Sequence, residues 1–190
     1  QTWPNNALIS SPSLSQTITS LLNNLPWPTG RLGDFMVTVD MMRVREQASF
    51  DKLNFKPDPQ KINLNEMEMS ILNLYLASDD FTILHGVTGT YAVRIISEQF
   101  PDIDNLLIYL WQGLVTAFLS KGLNDKSMQQ TLSQLSDFKI ADRETIRQQA
   151  CDSLDDHTIK LAAVCLKMHH RTGNADYLLA ISRKLASKQP

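Results

Sequence analysis

Apolar residues recur along this chain at intervals of three and four, the spacing that places them on one face of an α-helix. Leu64, Met67, Ile71 and Leu74 show this pattern clearly and predict a helix over residues 64–77. Further helices are predicted over residues 34–50, 81–99, 103–121, 125–135, 142–151, 153–172 and 174–186. The sequence shows no alternating strand pattern and no internal repeat. It therefore predicts an all-α fold, an irregular bundle of seven or eight helices.

The beginning of the chain is predicted to lie apart from this bundle. Residues 1–13 are rich in Ser, Asn and Pro, which is typical of an extended arm, and residues 16–25 have the pattern of a short helix. Pro26 and Pro28 end that helix, because proline lacks the N–H donor and disfavours helix in the residue before it. We therefore expect an N-terminal arm and short helix over residues 1–25 and a helical domain over residues 26–190.

Several side-chain placements follow from helical spacing. Inward faces are expected at Phe35, Val39 and Met42 in one helix and at Met128, Leu132 and Leu135 in another. Ion pairs one turn apart are expected between Arg94 and Glu98 and between Asp156 and Lys160. The segment that begins at Ser153 resembles a capping box, in which Ser153 would cap the helix that follows.

Composition narrows the classes of function. Of the 190 residues, 43% are apolar and 20% charged, and the net charge is −2, so neither nucleic acid nor an acidic membrane surface is expected as a partner. The longest apolar run, residues 106–119, is shorter than the ~20 residues that span a bilayer. Cys151 and Cys165 cannot form a zinc site alone. Two buried thiols in the reducing cytoplasm are expected, with a disulfide as the open alternative.

The segment around His85 has an unusual composition for a packing helix. Gly86 and Gly89 lie three residues apart, although each glycine costs a helix about 1 kcal/mol relative to alanine. Close approach by another helix or by a ligand would account for both. His85 lies about one turn into its helix, where the positive end of the dipole favours a neutral imidazole that can accept a proton. Thr88 and Gly89 share its face. Either a planar ligand lies there, or helices cross there with His85 bonded to a backbone carbonyl.

A second histidine, His157, begins the seventh predicted helix. It shares a face with Leu161, Val164 and Met168, so it is expected to point inward. It is either a satisfied core histidine or part of a site.

The fourth predicted helix carries a polar stripe on an otherwise apolar surface. The stripe consists of Asn105, Tyr109, Gln112 and Thr116. It either faces solvent or lines a cavity, where the neighbouring Trp111 could pack against a flat ring.

Sequence signatures of cofactor sites are missing. No zinc, EF-hand, phosphate-loop or dinucleotide spacing can be read from the chain. The adjacent His169 and His170 diverge around a helix and cannot readily bind one metal ion. The residues themselves therefore predict neither a metal site nor a cofactor.

Two parts of the chain taken together resemble the questin oxidase-like family. The first is FTILHGVTGTYAVR at residues 81–94, followed by YLWQ at residues 109–112. The second is DDHTIK at residues 155–160, followed by RTGNADY at residues 171–177. The similarity extends over about residues 27–187 and corresponds to the C-terminal half of family members. The chain is accordingly expected to be a fragment that lacks an N-terminal half, or a short relative.

The resemblance implies an all-helical oxidoreductase that carries out a Baeyer–Villiger-like oxidation of an aromatic polyketide or a similar small planar hydrophobic molecule, with NADPH and molecular oxygen. It carries over His85 and Thr88 from the first part and His157 and Lys160 from the second. The expected catalytic residues are His85 and His157, and the expected substrate-binding residues are Thr88, Trp111, Gln112 and Lys160. Both histidines are then expected to converge on one sheltered cavity.

A second class of function remains open from the sequence. The same helices could form a non-catalytic module that binds a hydrophobic ligand or a partner helix, and a homo-oligomer is one form that such a partner could take. The two classes differ in what surrounds the histidines, because a catalytic pair needs a shared site that a ligand can reach.

Overall fold

The computed structural model describes residues 8–9, 37–46, 56–57, 62–100, 102–121 and 125–187. Eight helices account for 80% of the part that can be interpreted. They are α1 (Val37–Arg45), α2 (Leu64–Ser78), α3 (Phe81–Gln99), α4 (Asp104–Ser120), α5 (Asp125–Gln134), α6 (Arg143–Cys151), α7 (Asp156–Thr172) and α8 (Asp176–Ala186). The predicted all-α fold is confirmed. None of the described helices combines the length and the apolar character that a membrane span requires.

Two very short strands accompany the helices. β1 (Leu8–Ile9) pairs in parallel with β2 (Lys56–Pro57). A strand of two residues is shorter than the alternation by which strands are recognised, so the apolar pattern could not have predicted it. Apart from β1, the predicted arm and short helix of residues 1–25 lie outside the described residues.

The core lies where α2, α3, α4, α7 and α8 meet. α2 packs on α3 and α8, α3 also packs on α4 and α7, and α6 packs on both α7 and α8. Buried side chains from these helices fill the centre, among them Ile71, Leu84, Phe118, Leu161 and Ile181. Burial of side chains of this size stabilises the fold by roughly 1.5–3 kcal/mol each. This packing holds α3 against α7, the two helices that carry the candidate histidines.

The inward face predicted for α1 was wrong. Met42 is 59% exposed, whereas Asp40 and Val44 are fully buried; Val39 is half-buried. Asp40 can occupy the interior because the Lys121 ammonium, just past the end of α4, lies 2.8 Å from its carboxylate. An ion pair between distant residues has therefore overridden the apolar pattern of a short helix.

The inward face predicted for α5 was wrong in one of its members. Leu132 is exposed, although Leu135, in the turn after the helix, packs against the core. α5 packs on α2, and it makes this contact without burying Leu132. Phe35 of the α1 prediction and the Met128 side chain lie outside the described part of the chain.

Aspartates begin both helices of the candidate site. Asp80 caps α3 by accepting hydrogen bonds from the Thr82 and Ile83 N–H groups. Asp155 caps α7 in the same way. The predicted capping box was wrong in its register, because the Ser153 hydroxyl accepts from the Asp155 N–H and does not cap the helix. A carboxylate accepts more strongly than a hydroxyl, so the later residue takes the cap.

The two glycines of α3 have different surroundings. A Cβ atom at Gly86 would lie 2.7 Å from the Ile71 side chain and 3.1 Å from that of Leu114. Glycine therefore allows α2 and α4 to approach α3 closely at this point. A Cβ atom at Gly89 would meet no described atom within 4 Å. The expected close approach is made by protein at Gly86, whereas the space at Gly89 is open.

Arg94 pairs across helices rather than along its own, so the predicted pair with Glu98 was wrong. Its Nε and Nη2 donate to the two carboxylate oxygens of Glu68 on α2 at 2.9 and 2.7 Å. This bidentate contact is stronger than a single contact one turn away, and hydrogen bonding to Glu68 raises the pKa of Arg94. Glu98 pairs instead with Arg171 of α7. These two pairs tie α3 to α2 and to α7.

Candidate functional site

The first turns of α3 and α7 bring two histidines and a phenylalanine together. The ring centroids of His85 and His157 lie 5.0 Å apart, with the ring planes inclined by 61°. The Phe81 ring lies 4.6 Å from each imidazole, measured between centroids. These three side chains are referred to below as the histidine cluster. They meet because α3 and α7 pack against each other, although the two histidines are distant in sequence.

The histidine cluster is a half-exposed patch and not a sheltered cavity. Phe81 is 50% exposed, and the side chain of His157 is 27% exposed; His85 is half-buried. Phe81 is the first residue of α3 and points outward, whereas the residues that follow it, Thr82 and Ile83, are buried. The two histidines converge, but the described residues leave one side of them open to solvent.

The helix backbone decides which nitrogen of His85 carries the proton. Its Nδ1 lies 2.7 Å from the carbonyl oxygen of Phe81, one turn earlier. A carbonyl oxygen can only accept, so Nδ1 is the donor. In the neutral ring, Nε2 is then left with a free electron pair. The backbone hydrogen bond expected at a helix crossing is present, and it coexists with the contact to His157.

Two carboxylates lie beside Nδ1 of His157. The Oδ1 atom of Asp156 is 2.8 Å away and that of Asp155 is 3.4 Å away. The other oxygen of Asp156 accepts a hydrogen bond from the Lys160 ammonium at 2.6 Å, so the predicted pair between Asp156 and Lys160 is confirmed. This hydrogen bond, together with the positive charge of Lys160, lowers the pKa of Asp156, so its carboxylate is ionised at neutral pH.

The same residues carry atoms of the kind that ligate metal ions. One ligand atom each from Asp155, Asp156 and His157 lie within 4.8 Å of one another. All three residues are already engaged, because Asp155 caps α7 through both oxygens and Asp156 contacts both His157 and Lys160. A cation here would also meet the lysine charge and the positive end of the helix dipole. We therefore assign no metal to this position.

Two of the predicted substrate-binding residues lie near the histidine cluster. Thr88 is half-buried and follows His85 by almost one turn, and its hydroxyl donates to the carbonyls of Leu84 and His85 over 3.4 and 3.3 Å. Lys160 is exposed, and its ammonium is held on Asp156. Thr88 could turn its weakly held hydroxyl towards a ligand, whereas Lys160 acts on the carboxylate beside His157.

The other two predicted substrate-binding residues belong to the interior. Trp111 and Gln112 are each 2% exposed, and their helix α4 packs on α1 and α3. The polar stripe of α4 divides along its length, because Asn105 and Tyr109 face solvent whereas Gln112 and Thr116 are buried. Thr116 donates to the Gln112 carbonyl at 2.7 Å, and the Gln112 Oε1 atom has no partner among the described residues. The structure does not bring Trp111 or Gln112 to the open side of the cluster.

Three members of the site were not predicted: Phe81, Asp155 and Asp156. Phe81 and His85 are four residues apart, a spacing at which aromatic side chains of a helix meet, and this signal could have been used. Asp156 was predicted only in the capping box and in the pair with Lys160, and Asp155 entered only through the DDHTIK segment of the family resemblance. Both aspartates directly precede His157 in the sequence and contact its Nδ1, so their adjacency could have been used, whereas no rule of spacing connects Phe81 to His157 on the other helix.

The fold and the cluster together define an all-helical domain with paired histidines at the start of two packed helices. Comparison of the chain with protein-family models, curated proteins and solved structures found no match. Membership of the questin oxidase-like family therefore stays a prediction.

Proposed function

We propose that the histidine cluster binds a planar aromatic compound that carries a hydroxyl group, and that His157 takes the phenolic proton. This would be the acid–base part of an oxidoreductase of the questin oxidase-like type. The observation that carries the proposal is the 5.0 Å separation of the two imidazole rings at a position that a ligand can reach.

Recognition of a flat molecule rests on the surface beside the two rings. Phe81 offers a half-exposed aromatic ring, and aromatic contacts contribute about 0.5–1.5 kcal/mol beyond the burial of area. The next turn of α3 is low in bulk, since a Cβ atom at Gly89 would meet no described atom nearby. A flat ligand beside the histidine cluster would therefore find open space at Gly89, one turn of α3 beyond His85.

Proton transfer uses the ordinary chemistry of imidazole. Histidine is the side chain that changes charge closest to neutral pH, so it can accept a proton from an acidic phenol. A positioned base of this kind accelerates a reaction by about 10²–10⁴-fold. The phenolate that forms is richer in electrons than the phenol and reacts more readily with oxygen. The Thr88 hydroxyl, less than one turn after His85, is the donor that we propose for the phenolate oxygen.

The overall oxidation has requirements that the histidines do not meet. One oxygen atom of O₂ enters the substrate and the other leaves as water, and NADPH supplies two electrons. In the described part of the chain, no strand leads through a glycine-rich turn into a helix, the arrangement that binds a dinucleotide pyrophosphate. The described residues thus lack this arrangement for NADPH, and we route no step through it.

Exclusion of water from the cluster would need a cover. We propose that an N-terminal half or a second copy of the chain lies over Phe81 and the histidines, because removal of water strengthens the electrostatic interactions of such a site. Cys151 and Cys165 are both free thiols; Cys165 is buried as predicted, whereas Cys151 is exposed, so the prediction was wrong for that residue. We therefore place the reaction in the reducing cytoplasm.

The test uses emodin, a hydroxyanthraquinone whose visible spectrum reddens when it loses a phenolic proton. At a pH at which free emodin is neutral, the chain should bind and redden it. His157→Gln should bind emodin but leave it in the neutral yellow form, and the loss should be matched by a fall of about 10²–10⁴-fold in any turnover with NADPH and oxygen. His170→Gln is the control, because His170 is exposed on the same helix.

Each other outcome contradicts part of the proposal. Binding by the wild-type chain without reddening would exclude a base and would favour the non-catalytic module that binds hydrophobic ligands. Failure to bind emodin would exclude planar phenols of this type. Equal reddening by wild type and His157→Gln would show that His157 is not the base.

A further inference from the structure

We infer that Asp156 is a positioning residue for His157. Its carboxylate holds the proton of the neutral imidazole on Nδ1, so that Nε2 is the atom that takes the proton of the substrate. The catalytic meaning of this inference rests on the proposed function. The position of the proton is nevertheless a property of the free chain and can be measured without any ligand.

The distances favour Asp156 over Asp155 as the partner of His157. Asp156 lies at 2.8 Å from Nδ1 and Asp155 at 3.4 Å, and only the first is a good hydrogen-bond distance. Asp155 is also committed elsewhere, since its oxygens accept from the His157 and Thr158 N–H groups and from the Thr158 hydroxyl. A carboxylate can only accept, so Nδ1 of His157 must be the donor.

Lys160 keeps the Asp156 carboxylate charged and oriented. The two residues lie one helical turn apart with the acid first, the favourable order for such a pair. The lysine ammonium binds one carboxylate oxygen at 2.6 Å and leaves the other for His157. Lys160, Asp156 and His157 thus form a chain in which a carboxylate orients an imidazole. The same arrangement holds the histidine of serine proteases in its working tautomer.

This arrangement also distinguishes the two histidines. Both rings have Nδ1 occupied, His85 by the Phe81 carbonyl and His157 by Asp156. Both therefore present Nε2 as the accepting atom. The carboxylate of Asp156 lies beside Nδ1 of His157, whereas a backbone carbonyl lies beside Nδ1 of His85. We therefore take His157 as the base of the pair, and His85 contributes its ring, 5.0 Å away between centroids, to the surface beside it.

The experiment is nitrogen-15 NMR of the imidazole groups in the ligand-free chain at a pH at which they are neutral. In the wild type, Nδ1 of His157 should resonate as a protonated nitrogen and Nε2 as an unprotonated one. Asp156→Ala should shift both signals towards the opposite tautomer, and Asp156→Asn, which keeps a neutral acceptor, should shift them less. Far-UV circular dichroism should remain unchanged, because the Asp155 cap is retained.

A matched variant distinguishes the positioning of His157 by Asp156 from the effect of removing any acidic side chain from the first turn of a helix. Glu144→Ala removes the corresponding carboxylate from the first turn of α6, where it pairs with Arg147. It should leave the His157 signals unchanged. With emodin, Asp156→Ala should bind the probe but lose most of the reddening, whereas Glu144→Ala should retain it.

Two results would overturn the inference, whether or not emodin binds. One is a wild-type His157 that is protonated at Nε2, and the other is a tautomer that Asp156→Ala leaves unchanged. If the tautomer is as expected and the wild-type chain fails to redden emodin, the proposed function fails and the positioning of His157 by Asp156 stands.

Discussion

Two lysine–aspartate pairs in this molecule have nearly the same geometry and opposite surroundings. The Lys121 ammonium lies 2.8 Å from Asp40, and the Lys160 ammonium lies 2.6 Å from Asp156. The side chains of the first pair are 7% and 0% exposed, and those of the second are 62% and 61% exposed. Contact distance alone would rank the pairs as equals. Burial separates them, because solvent screens one pair and leaves the other unscreened.

Burial determines what each pair can do. A buried pair must stay intact, since removal of either partner leaves a charge in a region of low polarity. The Asp40–Lys121 pair therefore ties α1 to the end of α4 and has no freedom to take part in chemistry. The exposed pair adds little to stability, so we assign its residues the orientation of His157 beside them. The interior pair has an architectural role, and the surface pair belongs to the candidate site.

The largest effect is expected from Lys121→Met. The Asp40 carboxylate would then be fully buried without a partner, and the free energy of unfolding should fall by about 3–5 kcal/mol, measured by urea denaturation. The double variant Asp40→Leu with Lys121→Met should recover most of this loss, because an apolar pair of similar volume removes the buried charge.

A small effect of Lys121→Met would contradict the conclusion that burial makes the Asp40–Lys121 pair important for stability. If the single variant and the double variant were both as stable as the wild type, the Asp40–Lys121 pair would behave like a surface pair. Arg147→Met supplies the surface reference, since Arg147 and Glu144 are 67% and 70% exposed.

The two glycines of α3 differ in the same way, because Gly86 lies against packed side chains and Gly89 lies in open space. Gly86→Ala should lower the free energy of unfolding, because the added methyl group would press on Ile71 and Leu114. Overpacking costs about 1–3 kcal/mol, and the better helix propensity of alanine returns about 1 kcal/mol of this. Gly89→Ala meets no described neighbour and should raise stability by about 0.4–1 kcal/mol. Thermal and urea unfolding of both variants measure the difference.

Equal responses of the two variants would contradict this account of α3. A loss of stability in Gly89→Ala would show that this face is covered by protein. Emodin binding adds a second measurement, because a methyl group at residue 89 stands in the path proposed for the flat ligand. Weaker emodin binding together with higher stability is the expected combination.

Much of the fold could be predicted from the sequence, because helices with strong apolar periodicity are specified locally. The helix predicted over residues 81–99 coincides with α3, and the helix predicted over residues 153–172 ends at Thr172, as α7 does. The inner face of α1 could not be predicted. Its buried residue is Asp40, and the partner that makes this burial tolerable is 81 residues away in sequence.

The site could be predicted only as far as single helices allow. His85 and His157 were recognised because each lies among residues of unusual type or spacing. Their 5.0 Å separation depends on how α3 packs on α7, which periodicity does not specify. The same limit explains Arg94, whose partner Glu68 lies on α2 and not on its own helix. Side chains that pair between helices require the tertiary packing to be known first.

The smallest change in stability is expected from Lys160→Met. This variant removes the lysine of the exposed pair, as Lys121→Met removes that of the buried pair. The hydrogen bond from Lys160 is the main cause that lowers the pKa of Asp156. Without it, the Asp156 pKa should move up towards its ordinary value, and carbon-13 NMR of the side-chain carboxyl against pH measures this shift. Arg147→Met is the control and should leave the Asp156 titration unchanged.

The sign of the linked effect on stability follows from the direction of the shift. A carboxyl group whose pKa is lowered by folding stabilises the folded chain above the pKa of the unfolded chain, and this contribution is lost as the pH falls through the folded pKa. Wild type and Lys160→Met should therefore differ slightly near neutral pH and become equal in acid. A difference that grew in acid, or an Asp156 pKa that did not move, would mean that Lys160 does not hold this carboxylate. The exposed pair would then have no part in orienting His157, and burial alone would no longer account for the different roles of the two lysine–aspartate pairs.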